Sequence, residues 1–358
     1  MEQLAIKKVT LKRLNIALDE PFTIAIGKKV KIENVLIILE LANGIKGYGE
    51  AAPLEPINGE NQATVFATLK SSEGFLKGKN VSDYKKIAKD LKNVFHNQVT
   101  ARCAVEMALL DAFTRSLDIP LYKFFGGVTR KIETDFTIDI VPPEIAENNA
   151  SRLAGKGYRK LKTKVGKNMT DDLERIKAIS KGAPECGLII DANQGFSPFE
   201  ASWFLENLEK EGIRPDLLEQ PVLKTDLQSM KYVRDRTTIP VAADESVFTA
   251  ADAINIVKTG CADVINIKLM KSGIIEALDI AAIARSANIR LMIGCMLETR
   301  LALGCAVHFA AGMGGFDYVD LDPHLRQDQD PFSGGPAFAE PFYEIDNGLP
   351  GIGVSLNN

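Results

Sequence analysis

The chain reads as an α/β protein: a (β/α)7β modified TIM barrel with an α+β capping domain formed by the N-terminal segment and the C-terminal tail. Three observations carry this. From about residue 132, eight short apolar runs alternate with helical stretches, the pattern of a parallel sheet. Five charged residues, Lys164, Asp191, Glu219, Asp244 and Lys268, each stand just past one of those runs, at gaps of 27, 28, 25 and 24 residues (191−164, 219−191, 244−219, 268−244). One βαβ step takes about 30 residues, so each charge marks the same point of successive units, and in a barrel those points converge on one face. The first 125 residues have a different texture, strands and then helices.

At 358 residues the chain has room for a barrel of roughly 200–250 residues and a smaller domain. The expected division is a capping domain over 1–125, the barrel over 126–330 and a tail over 331–358 that returns to the capping domain. The net charge of −4 carries no basic excess, which argues against nucleic acid or an anionic membrane as partner. The N-terminus lacks the apolar core of a signal peptide, and no stretch is long and apolar enough to span a bilayer. Five cysteines match neither CxxC nor a disulfide framework, so a reducing cytoplasm is expected. Cys295 stands apart because it falls at a strand end.

In order, "KKVTLKRLNIAL" and "NVLIILELANGIKGYGEAAP" read as strands, with "NG" marking a hairpin turn. Helices follow near 60–94 and 99–117, the second with an apolar stripe and a Thr start. Strands are then expected at 134–141, 160–166, 187–193, 216–221, 240–246, 264–269, 290–296 and 317–322, separated by seven helices. An open doubly wound sheet is the alternative, weakened by the lack of GxGxxG at a first helix. From about 330 the chain is rich in Gly and Pro and shows no eighth helix.

Strand side chains alternate, so Lys162 and Lys164 in "KTK" share a face, as do Asp320 and Asp322 in "DLD". Lys164 on the second strand and Lys268 on the sixth lie across the ring from one another. Asp191, Glu219 and Asp244 fill the arc between them. Three acids on one arc need a cation, and Mg2+ suits carboxylate oxygens together with substrate oxygens. One such ion per subunit is expected. Two lysines flanking a metal-bound carboxylate can remove an α-proton from one face and return one to the other, inverting the carbon through an enediolate. A basic lysine needs a lowered pKa, and Lys162 beside Lys164 is expected to push it down. Two carboxylates on the eighth strand would hold an ammonium group. A substrate with a carboxylate at one end and an amine at the other describes a dipeptide.

These residues resemble the enolase superfamily, over essentially the whole chain: "GYGEAAP", "AVEMALLDAF…PLYKFFGG", "KLKTKVG", "DANQGF", "EQPV", "ADESVF", "INIKLMKSGI" and "GCMLETRLA". Lysines on strands two and six are similar to the muconate-lactonizing subgroup, not to members with a His base on strand seven. "DLD" resembles the DxD signature of dipeptide epimerases. The resemblance implies Asp191, Glu219 and Asp244 as Mg2+ ligands, Lys164 and Lys268 as acid/base lysines, and Lys162 as an enediolate stabiliser. It further implies Asp320 and Asp322 as the ammonium site, Thr137 and Met296 as pocket residues, and a homo-oligomer, which no residue here establishes. There is one departure. L-Ala-D/L-Glu epimerases carry an Arg in the capping loop after "PF", where this chain has Gly27. Ile24 and Ile26 would make an apolar wall, so an uncharged or hydrophobic C-terminal residue is expected, with Lys28 or Lys29 keeping Glu open. An o-succinylbenzoate synthase, an N-acylamino acid racemase, a lactonizing cycloisomerase and a non-catalytic carboxylate-binding barrel remain as alternatives.

Overall fold

The structure, a computed structural model, describes residues 2–24, 27–322, 327 and 329–357, without the side chains of residues 20–29. Three antiparallel strands, β1 (Ile6–Ile24), β2 (Gly27–Leu41) and β3 (Lys46–Ala51), open the chain in the order β1-β2-β3. The "NG" turn joins β2 to β3, with Gly44 at φ 86°, a left-handed conformation that favours glycine. Three longer helices follow, α1 (Gln62–Leu76), α2 (Tyr84–Val94) and α3 (Val99–Ser116).

Helix α3 differs from its sequence reading in two ways. It starts at Val99 behind Gln98, which makes no side-chain cap; Thr100 instead bonds the buried Glu60. Its residues are buried almost all round and not along one stripe. The helix lies under the capping sheet on one side and contacts the barrel on the other, through bonds such as Ile274 N–H to Glu106 Oε2 at 2.6 Å. A helix enclosed on both sides loses the polar face that an amphipathic pattern requires.

After β4 (Lys131–Glu133), eight parallel strands follow in chain order: β5 (Phe136–Ile138), β6 (Lys160–Lys164), β7 (Gly187–Asp191), β8 (Leu217–Glu219), β9 (Val241–Ala243), β10 (Val264–Lys268), β11 (Arg290–Gly294) and β12 (Tyr318–Val319). All eight fall inside the expected runs and are shorter than them, because the residues beyond turn into loops or, after β10, into the short helix Leu269–Ser272. Between them run α4 (Pro143–Gly155), α5 (Met169–Gly182), α6 (Pro198–Lys210), α7 (Leu227–Arg234), α8 (Ala250–Thr259), α9 (Ile274–Ser286) and α10 (Arg300–Met313). The sheet's two ends meet where Asp135 N–H donates to Val319 O at 2.9 Å. The protein is a (β/α)7β barrel with a capping domain.

Inside the barrel, Ile189, Leu217, Ala242, Val264, Met292 and Tyr318 form one buried apolar layer. Two residues further along, within the strands or just past their ends, stand Asp191, Glu219, Asp244, Asn266, Gly294 and Asp320. With a side-chain period of two, the polar layer sits directly above an apolar plug at the C-terminal end of the strands. The tail adds β13 (Phe332–Gly334), β14 (Ala337–Ala339), β15 (Phe342–Glu344) and β16 (Val354–Leu356). It pairs β15 with β4 and reaches the helices of the N-terminal segment through Ile352 N–H to Asp111 Oδ1 at 2.8 Å. No helix among the described residues is long and apolar enough to cross a membrane.

Candidate active site

Ladder register places the charges side by side: Lys164 opposite Asp191, and Asp191 opposite Glu219. Thr137, Lys162, Lys164, Lys268, Met296, Asp320 and Asp322 line one cavity with Leu54, Ile57 and Leu297. Asp191, Glu219 and Asp244 are buried and lie behind its lining lysines as an acidic floor, in ion-pair contact with Lys162, Lys164 and Lys268. The two lysines read as opposite one another thus face a common space. Ile26 lies outside the described residues. Ile24 pairs with Gly27 in the β1–β2 ladder, and its side chain is not described. Cys295 also lines the cavity; its thiol donates to Asp320 O at 3.1 Å, and burial pushes it well up. All five cysteines are free.

Ion pairs knit the floor together. Lys162 Nζ lies 2.7 Å from Glu219, 2.8 Å from Asp320 and 3.2 Å from Asp191. Lys164 lies 3.0 Å from Asp191, and Lys268 2.7 Å from Asp244. Burial alone would raise Asp191 and Asp244, but the neighbouring lysines outweigh it and hold both well below the usual carboxylate range. Glu219 goes the other way: burial and the adjacent Asp191 push it up to about 8. Burial would lower Lys162 and Lys268, yet the carboxylates around them win and hold both well above the ordinary lysine value. Lys162 itself acts to lower Lys268, and the carboxylates outweigh it. The Lys162 ammonium is spent on three acids and bridges the acid arc to Asp320.

Among the described residues, no three His, Cys, Asp or Glu side chains are spaced to enclose an ion, because lysine heads stand between the acids. The donor set itself fits Mg2+. It is oxygen only, carried on adjoining strands, buried, and accompanied by Glu245, whose Oε2 has no hydrogen-bond partner. Burial and the charge of Asp244 push Glu245 up to about 7, as expected of one more carboxyl at a crowded anionic point.

Several supporting residues escaped the sequence reading. Lys271, one turn beyond Lys268, donates to Asp244 Oδ1 at 2.6 Å. Asn266 donates to Glu219 Oε1 at 2.7 Å. Asn193, in left-handed backbone at φ 41°, accepts from Lys164 at 3.1 Å and donates to Asp191. Gln220 Oε1 accepts the Asp244 N–H at 2.9 Å. Asn193 and Asn266 lie within the expected strands, two residues from Asp191 and Lys268, so the period of two would have found them; Lys271 lies on the short helix Leu269–Ser272 and gave no such signal. Gly294 is required for space, since a Cβ there would lie 3.0 Å from Lys268 Cε and 2.9 Å from Asn266.

A larger cavity, about 460 Å³, opens at the other end of the barrel by Lys131, Asp135 and Asp317. It lacks the lysine and acid set, and barrel chemistry sits at the C-terminal ends of the strands.

Two family descriptions match: "Mandelate racemase / muconate lactonizing enzyme, N-terminal domain" over residues 6–126, and "Enolase C-terminal domain-like" over residues 144–358. The chain belongs to the enolase superfamily. It is 40% identical over 331 residues to an "Aromatic dipeptide epimerase" of Herpetosiphon aurantiacus, covering 92% of this chain and 93% of that one. To the "L-Ala-D/L-Glu epimerase" of Thermotoga maritima it is 37% identical, covering 93% and 96%. The crystal structure of a dipeptide epimerase from Enterococcus faecalis, complexed with Mg and the dipeptide L-Leu-L-Tyr, superposes with a TM-score of 0.95 at 35% identity, covering 98% and 99%.

Proposed function

We propose that this enzyme is a Mg2+-dependent dipeptide epimerase that inverts the α-carbon of the C-terminal residue in Ala-Xaa dipeptides whose Xaa is uncharged or hydrophobic. The observation that carries the reading is that Lys164 and Lys268, from opposite sides of the ring, line one cavity with Asp320 and Asp322. Proton removal flattens the α-carbon, leaving three substituents in a plane with one lysine on each side. The carboxylate points to the acidic floor. The amide nitrogen leads toward Asp320 and Asp322, which hold the terminal ammonium. The side chain takes the remaining direction, toward Leu54, Ile57, Met296 and Leu297, which make an apolar wall.

Held by Asp191, Glu219 and Asp244, one Mg2+ per subunit would supply electrostatic stabilisation for charge developing on the substrate carboxylate, and would occupy carboxylates that otherwise keep Lys162 and Lys268 protonated. Within the chain, one lysine as a neutral amine takes the α-proton while the other, as an ammonium, returns one to the opposite face. Each turnover exchanges their protonation states. Lys162 then places positive charge beside the carboxylate.

The test is incubation with Mg2+ in D2O with L-Ala-L-Phe, L-Ala-L-Glu and an N-acylated amino acid, following the α-proton by NMR. L-Ala-L-Phe is expected to exchange fastest, and only at its C-terminal residue. Faster exchange of L-Ala-L-Glu would shift the reading to the glutamate epimerase, as the T. maritima relative would favour. No exchange in any dipeptide would sink it. Lys164→Ala should lose exchange from one stereoisomer by about 10²-fold or more; full activity on both isomers would refute its role as a base.

A further inference from the structure

The cavity between Lys164 and Lys268 is small, about 50 Å³, against roughly 300–1,000 Å³ for typical small-ligand sites. Small movements of its walls therefore decide what enters. One wall, Leu54 and Ile57, belongs to the N-terminal capping segment; the other, Met296 and Leu297, belongs to the loop after β11. A single buried carboxylate joins them. Glu50, the fifth residue of β3 and four before Leu54, accepts Thr299 N–H at 3.0 Å and Asn34 Nδ2 at 2.6 Å on Oε1. Its Oε2 accepts Thr299 Oγ1 at 2.5 Å and Ala302 N–H at 3.1 Å. Asn34 Nδ2 also donates to Leu297 O at 2.8 Å. Leu297 packs with Ile16 and Ile32 of the capping sheet.

Every one of these partners is a donor, an arrangement that favours the ionised carboxylate and suits the N-terminus of α10, against burial, which raises Glu50 above its ordinary value. None of the atoms belongs to the acid–lysine set. We infer that Glu50, with Asn34, is a positioning residue that sets the gap between the two apolar walls and hence the size of C-terminal side chain the enzyme accepts. This rests on the dipeptide reading above.

The experiment compares L-Ala-L-Phe with L-Ala-L-Ala, which share every group except the side chain, in Glu50→Gln, Asn34→Ala and Thr299→Ser. Glutamine puts an N–H donor where a donor already points, so the clasp breaks at Oε2 or Oε1. In Glu50→Gln and Asn34→Ala, KM for L-Ala-L-Phe is expected to rise about tenfold with kcat within about twofold, while L-Ala-L-Ala changes less than about twofold. Thr299→Ser keeps the hydroxyl and should behave as the parent. Amide hydrogen exchange in residues 295–302 should speed up in the first two variants. An unchanged ratio between the substrates, or an equal loss of kcat on both, would overturn the inference. If Glu50→Gln fails to fold, Asn34→Ala decides alone, since it removes only the Leu297 bond and one donor to Glu50. Should the parent turn over neither dipeptide, the functional reading fails; exchange at 295–302 still judges the clasp, and unaltered exchange would reject it.

Discussion

Asp191, Glu219 and Asp244 differ in what surrounds them, and that difference says which of them a cation can claim. Asp244 is bonded by two lysines and Asp191 is shared by two. Glu219 meets Lys162 and the neutral Asn266 amide, and crowding with Asp191 makes it the acid with most to gain from a divalent ion. A ligand that binds only the folded protein stabilises it by mass action, about 2.7 kcal/mol at 100 times Kd. Adding Mg2+ should therefore raise the Tm of the parent with concentration, and Glu219→Gln should lose most of that rise. An equal rise in the variant, read by calorimetry, would remove Glu219 from the ligand set. At this scale the five spaced charges and "DLD" were legible because each lies at or just past the end of a period-two strand. Lys162's three partners were not, since they come from three other strands.

Secondary elements carry the site through close backbone approach. Strand β3 lies so near α3 that a Cβ on Gly49 would fall 1.9 Å from Ala104 O, and one on Gly47 would fall 2.2 Å from Ala108 O. The small residues of α3 at 104, 108 and 112 recur every four positions and face those glycines. Gly49→Ala should destabilise the protein by about 1–3 kcal/mol, with a lowered midpoint in denaturant. An unchanged midpoint would show that the sheet can lift off the helix freely. Since Glu50 is the next residue, the same variant should also blunt discrimination between large and small dipeptides. The helix was legible as a helix. Its burial on both sides was not, because composition cannot tell which of two flanking layers will cover a face.

Across the whole molecule, His308 ties three regions together from the middle of α10. Tyr122 N–H donates to its Nδ1 at 3.0 Å, and Nε2, by the tautomer this implies, faces Ile352 O at 3.2 Å. Burial lowers its pKa to about 3 from an ordinary 6.5. A histidine held neutral in the fold contributes stability that is complete above pH 6.5. As pH falls from 6.5 toward 3, the unfolded chain takes up a proton that the native state refuses, and that stability is lost. The loss should amount to a few kcal/mol, on the order given by the shift. His308→Asn, which can still accept from Tyr122, should show a flatter decline of Tm over that range; an identical slope would mean other groups govern acid unfolding.

By itself the sequence determined the alternation of strand and helix, the end of the barrel where the charges gather, and the acid and lysine identities, because each is written in local periodicity. Tertiary structure alone decided which ammonium meets which carboxylate, and that residue 50 clasps residue 299, 249 positions away. Such pairings depend on how the ring closes and how the cap docks, and no local pattern encodes a distance that only the folded chain defines.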